Sequence, residues 1–483
     1  MSIKNAIKSA ILRHGSGQTV PVAVVVSGHN YGRWLGDCLD SVLRQDPAPR
    51  EILYVDNGST DGSTEIARSR GIPVAVVGPN AGHICACRNR GFLRTTEPFV
   101  VFLDADDLMA PGYLKALVDP LIADERLGFT FPALQHFGIF DAAPFECKTW
   151  GYDELCRDNF IPMPSMIRRR AFEALGMFKL RPMYQDWSLW LRILEQGWTM
   201  KYVPAAVLEL RTHPGSMTAA LQGRMPEYQR VLSERPFTLF TPFAPGRRAI
   251  HEHYLRGLLN AGVPWEQANV VWLDNTNDPD EADWLRSSLR DLPARGATYL
   301  RDDTRVSYCD QMTRALVVPE RLAEIWTRGA EHFSGAFVWS VEDDMEPKEP
   351  NTFRRLFEGF TPSVASVSRP YYSRPMNDRT HELALKWTVG KEGALQLTEI
   401  ARYPGGLPRP PTDGCTDIGA TGVGCLLIRR GLLRGFTYPV GTVNSWRGQD
   451  FGVCRMLKDK GQRLMMHWGV RMKHWHSPTE CVE

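Results

Sequence analysis

The chain has 483 residues, 43% of them hydrophobic and 23% charged, with a formal net charge of +2. That length calls for two or three domains rather than one core, and the composition is that of an ordinary globular protein. The near-neutral balance argues against an extended nucleic-acid-binding surface.

Ten cysteines are scattered along the chain and none forms a CxxC pair, so a zinc ribbon is not expected. They read as buried or incidental thiols in a reducing compartment. The opening MSIKNAIKSAILRHG has too short an apolar run for a secretory signal. No stretch reaches the roughly 18 apolar residues of a membrane span. Residues 1–19 are expected to form a helical extension with Ile3, Ala6, Ile7 and Ala10 on one face. Such a helix can pack on the body or touch a membrane surface. The expected location is cytoplasmic, with peripheral membrane contact open.

In chain order, PVAVVV at Pro21–Val26 is a β-branched run suited to a buried parallel strand. Trp34–Leu43 has helical spacing. EILYV at Glu51–Val55 is a second strand, and Ser63–Ser69 suits a helix, with Thr60 and Asp61 available to cap it. Pro73–Val77 is a third strand and FVVFL at Phe99–Leu103 a fourth. This alternation predicts an α/β fold with a mostly parallel sheet flanked by helices. Polar residues follow each strand: Asn30, then Asp56, then Asn80 and Gly82, then Asp104 and Asp106. Ligands bind at the carboxyl ends of such strands, so four polar ends in register imply one pocket.

The second half repeats this order. FTLFTPFAPGRRAIHEHYLRGLL (237–259) runs parallel to VAVVVSGHNYGRWLGDCLDSVL, and NVVWLDNTNDPDEADWL (269–285) to EILYVDNGSTDGSTEIA. AFVWSVEDDMEPKEPNTFRRL (336–356) has the shape of EPFVVFLDADDLMAPGYLKAL. SWRGQDFGVCRMLKDKG (445–461) has that of PMYQDWSLWLRILEQG. Two tandem Rossmann-like domains are expected, at 20–235 and 236–483, joined where Pro236, Pro242 and Pro245 cluster.

Four constellations carry chemistry in the first half. VDNGSTD offers Asp56 to a base or ribose, or is simply a strand-to-helix turn. FLDADD places carboxylates two apart at a strand end, where a hard cation can bridge them to phosphates, or forms a solvated acidic turn. YQDWSLWLR puts Asp186 near a helix start, as a general base or an N-cap. LRTHPGSMT holds His213 in a Pro-Gly loop, where a neutral imidazole can meet metal or phosphate.

In this order the motifs SGHNYGRWLGDCLDSVLRQ, VDNGSTDGS, NAGHICACRNRG, LDADD, QDWSLWLR and LRTHPGS resemble the inverting family 2 glycosyltransferases of the GT-A fold, over about residues 20–218. The resemblance implies that Ser27, Asn30, Asp56, Arg88 and Asp104 line a nucleotide-sugar site. It implies that Asp104, Asp106 and His213 hold Mn2+ or Mg2+, and that Asp186 is the catalytic base. Gln185 stands where many members have Glu. The donor is then a UDP- or other NDP-sugar. The acceptor is a hydroxyl of a polysaccharide, lipid-linked glycan or protein, or a modified nucleic-acid base. Trp34, Trp187 and Trp190 are candidates for sugar stacking or for core.

The second half looks like a diverged GT-A-like domain. Asp274 would bind nucleotide, Asp450 would be its base, and Glu342, Asp344, His474 and His476 would hold its metal. The nearest alternative is a degenerate, acceptor-binding second half. A nucleotidyltransferase would need a Gly-rich pyrophosphorylase loop near the start, which is lacking. A carbohydrate-binding protein would not need the ordered carboxylates.

Overall fold

The computed structural model describes residues 18–483 except 79–83, 140–150, 182, 215–223, 277, 303–321, 369–370, 374–380, 390–394, 402–414, 419–424, 434–440, 444–445, 468–469, 471, 478–479 and 483. The helix expected over 1–19 therefore falls almost wholly outside the described residues, as do Asn80 and Gly82. The chain divides into two compact units, Met1–Glu227 and Tyr228–Glu483. No helix among the described residues is long and apolar enough to cross a membrane.

The first unit is built on β1 (Thr19–Gly28), whose Val22 to Val26 are wholly buried. A strand apolar on both faces must be covered on both, which is why helices flank it. It pairs in parallel with β2 (Ala48–Asp56) and β4 (Phe99–Asp104). Outside β2 lies β3 (Val74–Val76). Helix α1 (Gly32–Leu43) buries Leu35, Cys38, Leu39 and Val42. Helix α2 (Ser63–Ser69) returns the chain to β3. Its cap is Gly62, at φ 81°, rather than Thr60 or Asp61. Asp61 supports Ser63 from just outside the helix, accepting its N–H at 3.2 Å, while Thr60 turns to Asn30.

Beyond β4 the sheet continues in a way the early pattern did not announce. The remaining strands are β5 (Leu108–Met109), β6 (Leu127–Gly138), β7 (Met166–Arg168) and β8 (Thr199–Thr212), giving the order β3-β2-β1-β4-β7-β6-β8-β5. Strand β7 is antiparallel to both β4 and β6. The long β8 runs parallel to β6 and pairs its far end with β5. That pairing brings the end of β8 back to the turn after β4.

The second unit has the same plan. Strand β9 (Phe237–Phe243) lies between β10 (Ala268–Asp274) and β12 (Phe337–Val341), parallel to both, and β11 (Gly296–Arg301) extends β10. The strand after the acidic turn is β13 (Met345–Pro347), followed by β14 (Val364–Ser368), β15 (Cys415–Ile418), β16 (Cys425–Arg429), β17 (Arg463–His467) and β18 (Met472–Ser477). In these labels the sheet order is β11-β10-β9-β12-β16-β14-β17-β15. Seven successive positions match those of the first sheet in chain order and direction. Strand β13 pairs with β18 as β5 pairs with β8.

Helix α3 (Ile84–Phe92) crosses the first sheet at close range because Gly91 has no side chain. A Cβ there would stand 2.4 Å from Val25 Cγ1 and 2.9 Å from Val55 Cγ2. Gly91→Ala should therefore cost about 1–3 kcal/mol by overpacking, read as a lower urea midpoint at unchanged m-value. An unchanged midpoint would show that helix and sheet part without penalty.

Candidate functional site

The ends of β1, β2 and β4 are level. Gly28 pairs with Asp56, and Ser27 lies between Val55 and Asp104. Level strand ends turn three sequence-distant segments into one rim.

Asp56 serves its own turn. Its Oδ2 accepts the N–H groups of Gly58 at 3.1 Å and Ser59 at 3.0 Å, its Oδ1 accepts the Tyr54 hydroxyl, and the residue is 1% exposed. Asn30 sits at φ 58°, a left-handed position that Asn tolerates well. Its Oδ1 accepts the Thr60 N–H at 2.8 Å, and its own N–H donates to Ser59 Oγ at 2.9 Å. It ties the loop after β1 to the loop after β2. Ser27 is buried, and its Oγ has no hydrogen-bond partner among the described residues.

Asp104, Asp106 and Asp107 end β4 as a dense negative patch. Arg88 from α3, 5% exposed, pairs with Asp104 at 2.6 Å. His213, at the end of β8, meets Asp106 through Nε2 at 3.0 Å. Its ring lies 4.3 Å from that of Trp34, and Tyr31 stands edge-on to it. Asp107 is buried and accepts the Arg211 N–H at 3.1 Å, while Arg211 Nε donates to the Asp106 carbonyl. Burial, and then the Asp104 charge, push Asp106 above the ordinary carboxylate range. Burial and the charges of Asp106 and Asp104 push Asp107 well above it. Burial and the same charges lift the Tyr31 hydroxyl to about 12.

Asp186 lies inside α4 (Gln185–Glu195), one residue past its start, with Tyr184 in the cap position. It is not the N-cap. Its Oδ1 accepts the adjoining Trp187 N–H at 2.8 Å and its Oδ2 the Asn159 amide at 2.9 Å. Loss of solvent raises its carboxyl above the ordinary range, opposed by the Trp187 N–H, the Arg88 charge and Asn159. Trp187 and Trp190 are fully buried, so they are core. Trp34 is half-buried against His213.

Among the described residues, no three His, Cys, Asp or Glu side chains are gathered closely enough to hold a metal ion. Asp106 and His213 form a pair, and Asp104 faces Arg88. One carboxylate and one imidazole, beside repelling carboxylates, suit a hard cation whose other ligands come from a diphosphate.

In the second unit the turn after β12 repeats that after β4. Asp107 N–H donates to the Asp104 carbonyl, and Met345 N–H to the Glu342 carbonyl, each at 3.1 Å. Glu342 and Asp344 thus stand where Asp104 and Asp106 stand. Their surroundings differ. Arg247 Nη1 is 3.0 Å from Asp344 and 3.3 Å from Asp343. Asp343 also accepts the Ala244 N–H at 2.7 Å and faces His251 Nε2 at 2.8 Å. The Nδ1 of the fully buried His251 lies 2.9 Å from Glu281. Asp274, expected to bind nucleotide, is wholly buried and held by Arg301, Tyr299 and the Thr276 N–H. Burial raises its carboxyl, but those donors outweigh it and leave the carboxyl low. His474 pairs by backbone with Met345 on β18. The side chains of His474, His476 and Asp450 lie outside the described residues.

Residues 23–143 match the family model described as glycosyl transferase family 2. The N-terminal unit carries a family 2 glycosyl transferase domain. An uncharacterized glycosyltransferase of Nostoc sp. is 32% identical over 127 residues, which cover 25% of this chain and 37% of that protein. One of Bacillus subtilis is 24% identical over 232 residues, 44% of this chain and 83% of that protein. The crystal structure of S. aureus TarS 1–349 with UDP-GlcNAc is 15% identical, covers 44% of this chain and 64% of that one, and has a TM-score of 0.38. The chain thus spans little more than a third of the Nostoc relative.

Asn159, Arg211 and Tyr31 were not singled out in the sequence. Arg211 had a signal, standing two residues before His213. Asn159 had none, since it lies in an irregular loop that reaches Asp186 only through the fold.

The acidic patch makes a stability prediction. A carboxyl raised in the folded state weakens the fold wherever it must ionise. Asp106→Asn, in the presence of EDTA, should therefore raise the urea midpoint at pH 7. The gain should vanish below the ordinary Asp range, grow as pH rises through the raised carboxyl of Asp106, and stay level above it. A variant less stable than the parent at pH 7 would mean that the Asp106–His213 contact outweighs the repulsion.

Proposed function

We propose that the first unit transfers a sugar from a nucleotide-diphosphate donor to an acceptor hydroxyl with inversion at the anomeric carbon. One observation carries the reading: the Asp106–His213 pair and the Asp186 carboxylate both belong to the surroundings of Arg88 and Asp104 at the carboxyl rim of one sheet. The family 2 domain and the glycosyltransferase relatives support it. Mn2+ or Mg2+ held by Asp106 and His213, with Asp104 beside them, would neutralise charge on the departing diphosphate. Ser27 offers its hydroxyl at the same level. Asp186 takes the proton of the attacking hydroxyl. Its raised carboxyl makes it a stronger base than an exposed Asp, while Asn159 and the Trp187 N–H keep it oriented.

The shared sheet order favours reading residues 236–483 as a second, diverged transferase domain with Asp450 as its base. If that half is instead an acceptor-binding module, Asp450→Asn leaves every transfer intact.

Screened against a panel of nucleotide sugars with Mn2+, the chain should hydrolyse or transfer one donor, and excess EDTA should stop it. Asp186→Asn should lower kcat by about 10²-fold or more with donor binding unchanged. In the parent, kcat should fall as pH drops through the raised carboxyl of Asp186. Poor donor binding with normal turnover at saturation would make Asp186 a binding residue instead.

A further inference from the structure

The two units solve the same charge problem differently. The residue just before helix α1 is Tyr31, at φ −111° and ψ 19°. The residue just before α5 (Arg248–Asn260) is Arg247, at φ −119° and ψ 20°. Each precedes the first helix after the first strand of its sheet in the same backbone conformation, Tyr31 three residues past Gly28 and Arg247 four past Phe243. In the first unit a neutral phenol stands there and feels the charges of Asp106, Asp104 and Asp107. In the second a guanidinium stands there and pairs with Asp344 and Asp343.

We infer that Arg247 takes the place of the divalent cation in the second unit, so that its acidic turn binds no metal. The inference rests on reading the Asp106–His213 pair as the first unit's cation site. A cation drawing on Asp344 would seat its oxygens at about 2.0–2.6 Å. Arg247 is already 3.0 Å from that carboxylate. Either the guanidinium would have to leave, or two positive centres would share the same oxygens at a separation where like charges repel strongly. Asp343 offers no alternative, because the Ala244 N–H, His251 and Arg247 already surround it. Its counterpart in the first unit is the apolar Ala105, so the additional carboxylate arrives together with the buried His251 and the half-buried Arg247. Arg247 also lines, with Arg248, Asp278, Asp280 and Glu281, a cavity of about 400 Å³ between the starts of two helices.

The test is titration of the full-length chain with Mn2+ in the presence of a nucleoside diphosphate, UDP or GDP, against a protein-free control holding the same nucleotide, followed by the free-ion EPR signal. The parent should bind one Mn2+, lost in Asp106→Asn and kept in Asp344→Asn. Arg247→Tyr should gain a second site, which Asp344→Asn then removes. Tyr31→Arg should lose the first. Circular dichroism checks that each variant is folded. Two Mn2+ per parent chain, one of them lost in Asp344→Asn, would overturn the inference, and so would a folded Arg247→Tyr with no added site. Should Arg247→Tyr not fold, the parent stoichiometry and Asp344→Asn still decide it. A parent that binds no Mn2+ defeats the cation reading of the first unit, and gain or no gain in Arg247→Tyr still decides the second.

Discussion

Three carboxylates in four residues, Asp104, Asp106 and Asp107, close β4, and the first unit is arranged around the cost of keeping them there. Burying charge is expensive unless it is paired. Arg88 is sunk in α3 and held against the sheet by Gly91, which permits the close approach. His213 reaches Asp106 because β8, fourteen residues long, carries the chain past its pairing with β5 to the acidic turn. Arg211 spends its backbone N–H on Asp107 and its side chain on the Asp106 carbonyl. Even so, Asp106 and Asp107 remain displaced toward their neutral forms. In the reading proposed above, a bound cation supplies the positive charge that this patch lacks.

The second unit shows what happens when that positive charge is built in. Its sheet has the same order and the same strand directions, and its acidic turn closes with the same backbone hydrogen bond. The difference lies in a few side chains: Arg247 for Tyr31, Asp343 for Ala105, and His251 in the helix that packs behind them. Sheet order is set by long apolar strands and is hard to change one residue at a time. The charge at a loop is not so constrained. Two copies of one plan can therefore diverge in electrostatics while their cores stay alike.

Much of this was legible in the sequence, and for identifiable reasons. The runs PVAVVV, EILYV and FVVFL are each too apolar to sit anywhere but a covered sheet, and the polar residue ending each one marked the ligand edge. The repeat showed because the same strand-and-turn order recurs near 237–243, 268–274 and 337–341. Strands β6 and β7 were not read, since MIR is only three residues long and LGFTFPALQHFG alternates only as far as Ala133 and contains a Pro. Their pairing depends on neighbours far away in the chain.

Residue types and their order determined that carboxylates, an imidazole and an arginine would stand at strand ends of an α/β sheet. Only the tertiary structure decided how they would be used. Asp56 and Asp186 look alike as letters beside short motifs, yet one is consumed by the N–H groups of its own turn and the other is held half-buried by Asn159. Asp106 and Asp344 occupy equivalent turns, yet one faces a histidine and the other an arginine. A hydrogen bond needs two groups within about 3 Å, and sequence fixes the groups while the folding of distant segments fixes the distance.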